Sequence, residues 1–397
     1  MKRVWIVTTL TALVVLLLFS LRFSTLLTVP RTEVMKVGFI YEDDESTPGT
    51  YNFALAQERL EKIYGSAISI MTKSNVLGSE MDEPVIELVR RGCNVIFTNC
   101  HGEGFMELAA QYPKVEFCQV SASELAGKEY PPNFHTFNGA IYEGRYVSGV
   151  AAGLKLREMI DNGVIRPEQA LAGFVGPDAV PEVISAYTAF LLGIRSVVPE
   201  AVIKVRYTGS WRNFTKEKEI VRELIREGCV VISHYCSTAG PAVACEEMSG
   251  DSKVIYIGYH QGLTDIAPTA ALISTRVNWT PYITAAVEAI RNNESIEDKC
   301  GGTRLQDRDV IGDFSDGWIQ ILDLNPHLAP YNMQITLDET IKGLTNGSIA
   351  VFSGDYTGVN PEDPKDVCDL KVKYQENRDF SAPSFHYVLD DVVEVEQ

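Results

Sequence analysis

With 397 residues, 45% apolar and 22% charged side chains, the chain has the balance of a folded protein of two or three domains, not of a disordered one. The formal charge is −18. Lys2, Arg3, Arg22 and Arg31 outweigh Glu33 in the first 35 residues, so the body beyond them is more acidic still. Such a body repels phosphate backbones, which excludes DNA and RNA as main partners but not a small solute without phosphate.

The chain opens with an uncharged apolar run over 4–21, between Lys2-Arg3 and Arg22. It has the length of a membrane-spanning helix or a secretory h-region. No small-residue cleavage site follows, so residues 1–35 read as a signal anchor, or as a signal peptide if cleaved. Either way the basic end faces the cytoplasm and the body lies outside it. No cysteine precedes Cys93, so a lipid anchor just after the run is not available.

Beyond this segment, strands and helices alternate. Val37–Tyr41 is a short apolar strand, and Pro48 and Gly49 mark a turn. Phe53, Ala56, Leu60 and Ile63 recur at helical spacing. Ile68–Met71 is a second strand. A helix bearing Val85, Leu88 and Val89 stops at Gly92. Asn94–Thr98 and Val115–Val120 are the third and fourth strands. A second series follows, with strands at Ala172–Val175, Ile203–Tyr207 and Val230–Ser233 and helices over 182–196 and 216–227. The two series echo each other: LVRRGCNVIFTNC at 88–100 matches LIREGCVVISHYC at 224–236. Continuous apolar strands separated by helices imply two parallel sheets covered on both faces.

In open parallel sheets, ligands sit beyond the carboxyl ends of the strands. That rule selects the loops Glu42–Tyr51, Asn99–Phe105, Val120–Ser123, Gly176–Pro181, Gly209–Asn213, His234–Gly240 and Gly258–Thr264. They are rich in Gly, Ser, Thr and aromatics. No P-loop, G-x-S-x-G or H-E-x-x-H is present. His101, His234 and His260 each follow a strand and point to the cleft, but no usual ligand spacing joins them, so no metal or other cofactor is expected. A thiol at Cys100 or Cys236 beside one of them would make an enzyme; a structural cysteine at a strand end is the commoner case. The other cysteines read mainly as buried small residues. Trp211 follows a strand and serves either to stack on a flat ligand or to cover the lobe's rim; Tyr51, Phe105 and Tyr235 are weaker candidates of the same kind. Asp43-Asp44-Glu45 reads as a solvated acidic face.

Several segments, in order, resemble one family. They are Val37-Gly38-Phe39-Ile40, with Thr50-Tyr51 before a helix; Gly104-Phe105-Met106; Ile141–Tyr146 followed by Ser148–Gly153; Gly209-Ser210-Trp211; Ile257-Gly258-Tyr259; Asn278–Tyr282; and Asp316-Gly317. Together they resemble the basic membrane protein family of ABC-transporter substrate-binding proteins, which includes purine nucleoside receptors. The resemblance implies an α/β type I periplasmic-binding fold: two doubly wound parallel-sheet lobes joined by three hinge crossovers, here preceded by the N-terminal apolar helix. The crossovers are expected near Phe137–Asn138, near Tyr259–Leu263 and within 301–312. Lobe 1 is then 36–138 plus 262–303, lobe 2 is 139–261 plus 304–360, and 361–397 is a C-terminal extension.

The resemblance also implies a purine held between two aromatics. Trp211 matches the second-lobe ring, with Asn213 in the same loop. The first-lobe ring would fall at Gly49, next to Thr50, so Tyr51 or Phe105 must substitute. Glu143 matches the family's acidic residue at the start of its helix. Two positions where the family places ribose-binding aspartates carry His260 and Cys236. A neutral imidazole accepts one hydrogen bond where a carboxylate accepts two, which shifts the expectation toward a free base or another flat polar solute. The expected function is a non-enzymatic, extracytoplasmic solute-binding protein that delivers its ligand to an ABC permease. A membrane-anchored sensory receptor and a nucleoside-processing enzyme are the alternatives.

Overall fold

The computed structural model describes residues 34–250, 253–306 and 308–396. The expected N-terminal apolar helix lies outside the described residues. Among these, no helix is long and apolar enough to cross a membrane.

The first series runs β1 (Met35–Ile40), α1 (Pro48–Tyr64), β2 (Ile68–Lys73), α2 (Asp82–Arg90), β3 (Val95–Thr98), α3 (Gly104–Gln111), β4 (Glu116–Val120) and β5 (Phe134–Gly139). The second runs α4 (Ile141–Asp161), β6 (Leu171–Gly176), α5 (Pro181–Arg195), β7 (Val202–Tyr207), α6 (Phe214–Arg226), β8 (Val231–His234), α7 (Gly240–Met248), β9 (Ile255–Tyr259) and β10 (Ala271–Val277). Then follow α8 (Thr280–Asn292), α9 (Ile296–Lys299), β11 (Thr303–Gln306), β12 (Asp309–Gly312), β13 (Ile319–Leu322) and α10 (Met333–Thr345). The chain finishes with β14 (Thr357–Val359), β15 (Val367–Asp369), β16 (Val388–Leu389) and β17 (Val393–Glu396). Pro48, read as a turn residue, instead opens α1. Proline suits a helix's first turn, where its missing N–H has no partner to lose.

Two seven-stranded sheets form, ordered β11-β12-β5-β4-β3-β1-β2 and β13-β10-β9-β8-β6-β7-β17. β1–β5 and β6–β10 hold equivalent places, so the sequence echo is a repeat of topology. Its shared residues have shared jobs. Cys100 turns its thiol to the Ile40 carbonyl (3.9 Å), and Cys236 turns its own to Val175 (3.7 Å), each closing the end of a central strand. Gly38 and Gly173 let a helix approach the sheet: a Cβ there would lie 3.0 Å from Leu88 and 3.1 Å from Leu224. All eight cysteines are unpaired, and all but Cys368 are buried.

The lobe boundaries differ from those expected at two crossovers. β10 pairs in parallel with β9 in the second sheet, so the chain stays in lobe 2 through Val277. It crosses back between β10 and α8, not near Tyr259–Leu263. α8 packs on α1, with Tyr282, Ile283 and Val287 in the lobe 1 core beside Phe53. β12 pairs with β5, which keeps 303–312 in lobe 1; the third crossover follows Gly312. The reason is register: β10 and β12 each extend a parallel sheet by one strand, and neither has a sequence marker separating it from the preceding lobe. The C-terminal extension folds onto the body: β15 and β16 join β14, which precedes it, in a small sheet, and β17 is added to the edge of β7.

Candidate functional site

The carboxyl ends of both sheets face one cavity of about 770 Å³, mouth included. Lobe 1 supplies Glu42 after β1, Asn99 and His101 after β3, Ser121 after β4 and Asn138 in β5. Lobe 2 supplies Trp211 after β7, Tyr235 and Ser237 after β8, and Tyr259 and His260 at the end of β9.

The two lobes touch here. Trp211 lies almost parallel to His101, with ring centroids 5.2 Å apart and planes 17° apart. This is a stacked pair with one ring from each lobe. Beside it, Arg212 pairs with Asp43 at 2.5 Å. Asp43 is buried while Asp44 and Glu45 are exposed, so only part of the acidic run is a solvated face. Farther along the rim, Glu182 accepts from the Ser123 backbone N–H (2.7 Å) and hydroxyl (3.2 Å). At Gly49, an added Cβ would sit 3.7 Å from Ser237 and 3.8 Å from His260 Nε2. Those are ordinary contact distances, so Gly49 sits against the lobe 2 loops without being required there.

Arg145 of α4 stands behind the lobe 2 wall, fully buried. Its guanidinium lies 3.9 Å from the Tyr259 ring centroid and donates to the His234 carbonyl at 2.7 Å. The tyrosine faces offset part of the cost of burying this cation. Burial, His234 and Arg145 all hold the His260 pKa well below its ordinary value, so His260 is neutral at physiological pH. Its backbone is left-handed, with φ 69°. Burial, with Asp43 adding to it, raises the pKa of Glu42 against the opposing pull of His101 and Arg212. The lining contains the carboxyls of Glu42, Asp43 and Glu182 and no lysine or arginine. A phosphate would meet like charge there.

Of the residues singled out from sequence, Trp211, Thr50, His260, His101 and Tyr235 line this cavity, as do Asp43 and Gly49. The others do not. Phe105 is buried against Phe117, at 5.0 Å, inside lobe 1, because Gly104 opens α3 and the helix turns the next side chain inward. Tyr51 is half-buried on α1 but not in the cavity. Cys236 is a strand-end core residue. Asn213 caps α6, accepting from the Lys216 N–H at 3.0 Å. Glu143 lies beside Asp313 in a separate cavity with Phe352 and Tyr374, where burial first and Asp313 second push its pKa up to about 8. His234 is also internal: its ring meets the Cys236 carbonyl at 3.1 Å and the Tyr256 hydroxyl at 2.7 Å.

Sequence reading missed Glu42, Asn99, Asn138 and Glu182, and did not assign His101 as the ring opposite Trp211. The strand-end rule had already selected the loops carrying Glu42, Asn99 and His101. No activated nucleophile is present at the two thiols considered: burial pushes Cys100 up to about 12 and Cys236 well above its ordinary value.

Residues 41–310 match the Bmp family, described as ABC transporter substrate-binding protein, PnrA-like. The chain belongs to this family. A purine-binding protein of Brucella abortus is 30% identical over 263 residues, spanning 65% of this chain and 69% of its own length. A protein of Haloferax volcanii, named provisionally for glucose binding in an ABC transporter, is 30% identical over 211 residues, 52% of this chain and 49% of its own. Among solved structures, a solute-binding protein of an ABC transporter system from Conexibacter woesei superposes with a TM-score of 0.59 at 19% identity, covering 79% of this chain and 97% of its own. This is a likeness of fold. The family and this neighbour are solute-binding proteins, not enzymes, and substrate-binding proteins of ABC importers work outside the cytoplasm.

Proposed function

We propose that this chain captures a neutral purine outside the cytoplasm and presents it to an ABC permease, with the N-terminal apolar segment as its tether to the membrane. The observation that carries the ligand reading is the near-parallel pair of His101 and Trp211, one ring from each lobe. A flat heterocycle gains a stacking face from each once the rings, 5.2 Å apart here, part to about 7 Å, twice a ~3.5 Å contact. Asn99, Asn138, Ser121 and Ser237 offer donors and acceptors around its edge. The carboxyl-rich lining disfavours nucleotides. The name of the Brucella relative supports a purine.

The free base fits better than the riboside. Neutral His260 accepts at most one hydrogen bond, Cys236 faces away from the cleft, and the lining carboxylates of Asp43 and Glu182 are already engaged by Arg212 and Ser123. A thermal-shift screen of the purified protein with adenine, hypoxanthine, adenosine, AMP and glucose tests this. A ligand that binds only the folded state raises its stability by RT ln(1 + [L]/Kd). The expected order is base above nucleoside, with no shift for AMP or glucose. A shift with glucose alone would replace the purine reading with a sugar one.

A further inference from the structure

The C-terminal extension touches both lobes. On the lobe 2 side, Glu376 is buried and accepts from the Ser185 hydroxyl of α5 at 3.0 Å. It also accepts from Ser384 N–H and Phe385 N–H, both at 2.9 Å, which seals the base of a loop. Asn377, at φ 51°, turns the chain and donates to the carbonyls of Ser381 and Ala382, each at 2.9 Å. At the loop's tip, Ser381 reaches lobe 1. Its backbone N–H donates to Asp309 at 2.7 Å and its hydroxyl to the same carboxylate at 2.5 Å. Asp309 belongs to β12 and is buried, with Thr136 of β5 as its partner within the lobe at 2.7 Å. The tip of the Phe380 ring also reaches lobe 1, lying 3.8 Å from where a Cβ on Gly127 would stand.

We propose that residues 376–382 are a strap that holds the two lobes in the closed arrangement. The covalent connections between lobes are the three crossovers, and this is a non-covalent tie beside the third of them. Asp309 stands three residues before Gly312, the end of β12 and the start of the third crossover, a lever of about 10 Å at ~3.3 Å per residue. A hinge opening of about 20° displaces a point on that lever by roughly 3–4 Å. No hydrogen bond of 2.5–2.7 Å survives that displacement. Opening therefore separates Ser381 from Asp309, and the buried carboxylate loses two charge-assisted donors of the strong class. The strap lies beyond residue 310, where the family match ends, so it is outside the machinery defined by that match. It biases the equilibrium between open and closed forms without touching the ligand.

The tie is tested without ligand. Spin labels are placed at the exposed positions Glu58 of lobe 1 and Glu219 of lobe 2, as Glu58→Cys and Glu219→Cys, in the full chain carrying Cys368→Ser. Interlobe distances are then measured by pulsed electron resonance in this background, with Ser381→Ala, and with Phe380→Ala. The second variant leaves the Asp309 bonds chemically intact and guards against a folding defect in the first. The expected result is a long-distance population at least doubled in both variants, with melting still cooperative. Distance distributions that match the background in both variants would overturn the strap. The readout does not depend on what binds, so a failure of the purine reading leaves this result standing, and the reverse also holds.

Discussion

Trp211 carries more of this account than any other residue. Base–aromatic stacking contributes about 1–3 kcal/mol, so Trp211→Ala should weaken base binding by roughly 5- to 150-fold, as read by titration calorimetry. His101→Ala should weaken it too, since the opposite face is lost. Unchanged affinity in both would remove the stack from the site. His135 offers a test of a different kind. It is buried between Glu297 (2.5 Å) and Glu116 (3.0 Å). Burial works against its protonation, but the two carboxylates win and raise its pKa above 6.5. The Glu297 pKa is lowered from its ordinary 4.5 by the same pair, against burial. The His135 contribution to stability is full below 6.5 and is lost as pH rises through its folded value. The Glu297 contribution is present above 4.5 and is lost as pH falls through its own. The stability gap between wild type and His135→Gln should therefore be widest between about pH 4.5 and 6.5 and narrow above that window; denaturant titrations across pH measure it. Residue-level legibility was uneven for a physical reason. A strand-end position can be read from sequence, as for Trp211 and His260, but side-chain direction cannot. Phe105 and Cys236 follow strands just as they do, and both turn into the core.

At the scale of elements, α4 and α5 show how closely lobe 2 is packed. A Cβ on Gly149 would lie 2.0 Å from the Phe190 carbonyl, and one on Gly193 would lie 2.1 Å from that of Tyr146. Backbone stands on the other side in each case, so neither neighbour can rotate away. Gly149→Ala or Gly193→Ala should force the helices apart and cost at least the ~1–3 kcal/mol typical of overpacking, seen as a lowered melting temperature. A melting temperature unchanged in both variants would mean that the helices shift freely. The alternation of strands and helices was readable along most of the chain, and the echo at 88–100 and 224–236 correctly announced two like sheets. The lobe boundaries were not readable. β10 is an apolar run like any other, and only its pairing with β9 assigns it to lobe 2. The extension was equally hidden: its short strands have no periodicity of their own, nor do Tyr374 and Phe385, which cluster with Phe352 of the preceding segment.

For the whole molecule, the geometry describes a clamp. Two sheets of matching topology aim their carboxyl ends at one cavity. The Asp43–Arg212 pair and the Glu182–Ser123 bonds join its rims, and the stacked rings meet at its centre. The chain is acidic and the cavity lining contains no lysine or arginine, a setting that disfavours a phosphate. On the proposed function, this clamp closes on a free purine base. The most direct test is calorimetric titration of the full chain with adenine, adenosine and glucose, repeated on Trp211→Ala. The expected result is one-to-one binding of adenine, weaker binding of adenosine, no heat from glucose, and a loss of adenine affinity in the variant. Binding of glucose with Trp211→Ala unaffected, or of adenosine more tightly than adenine, would contradict it.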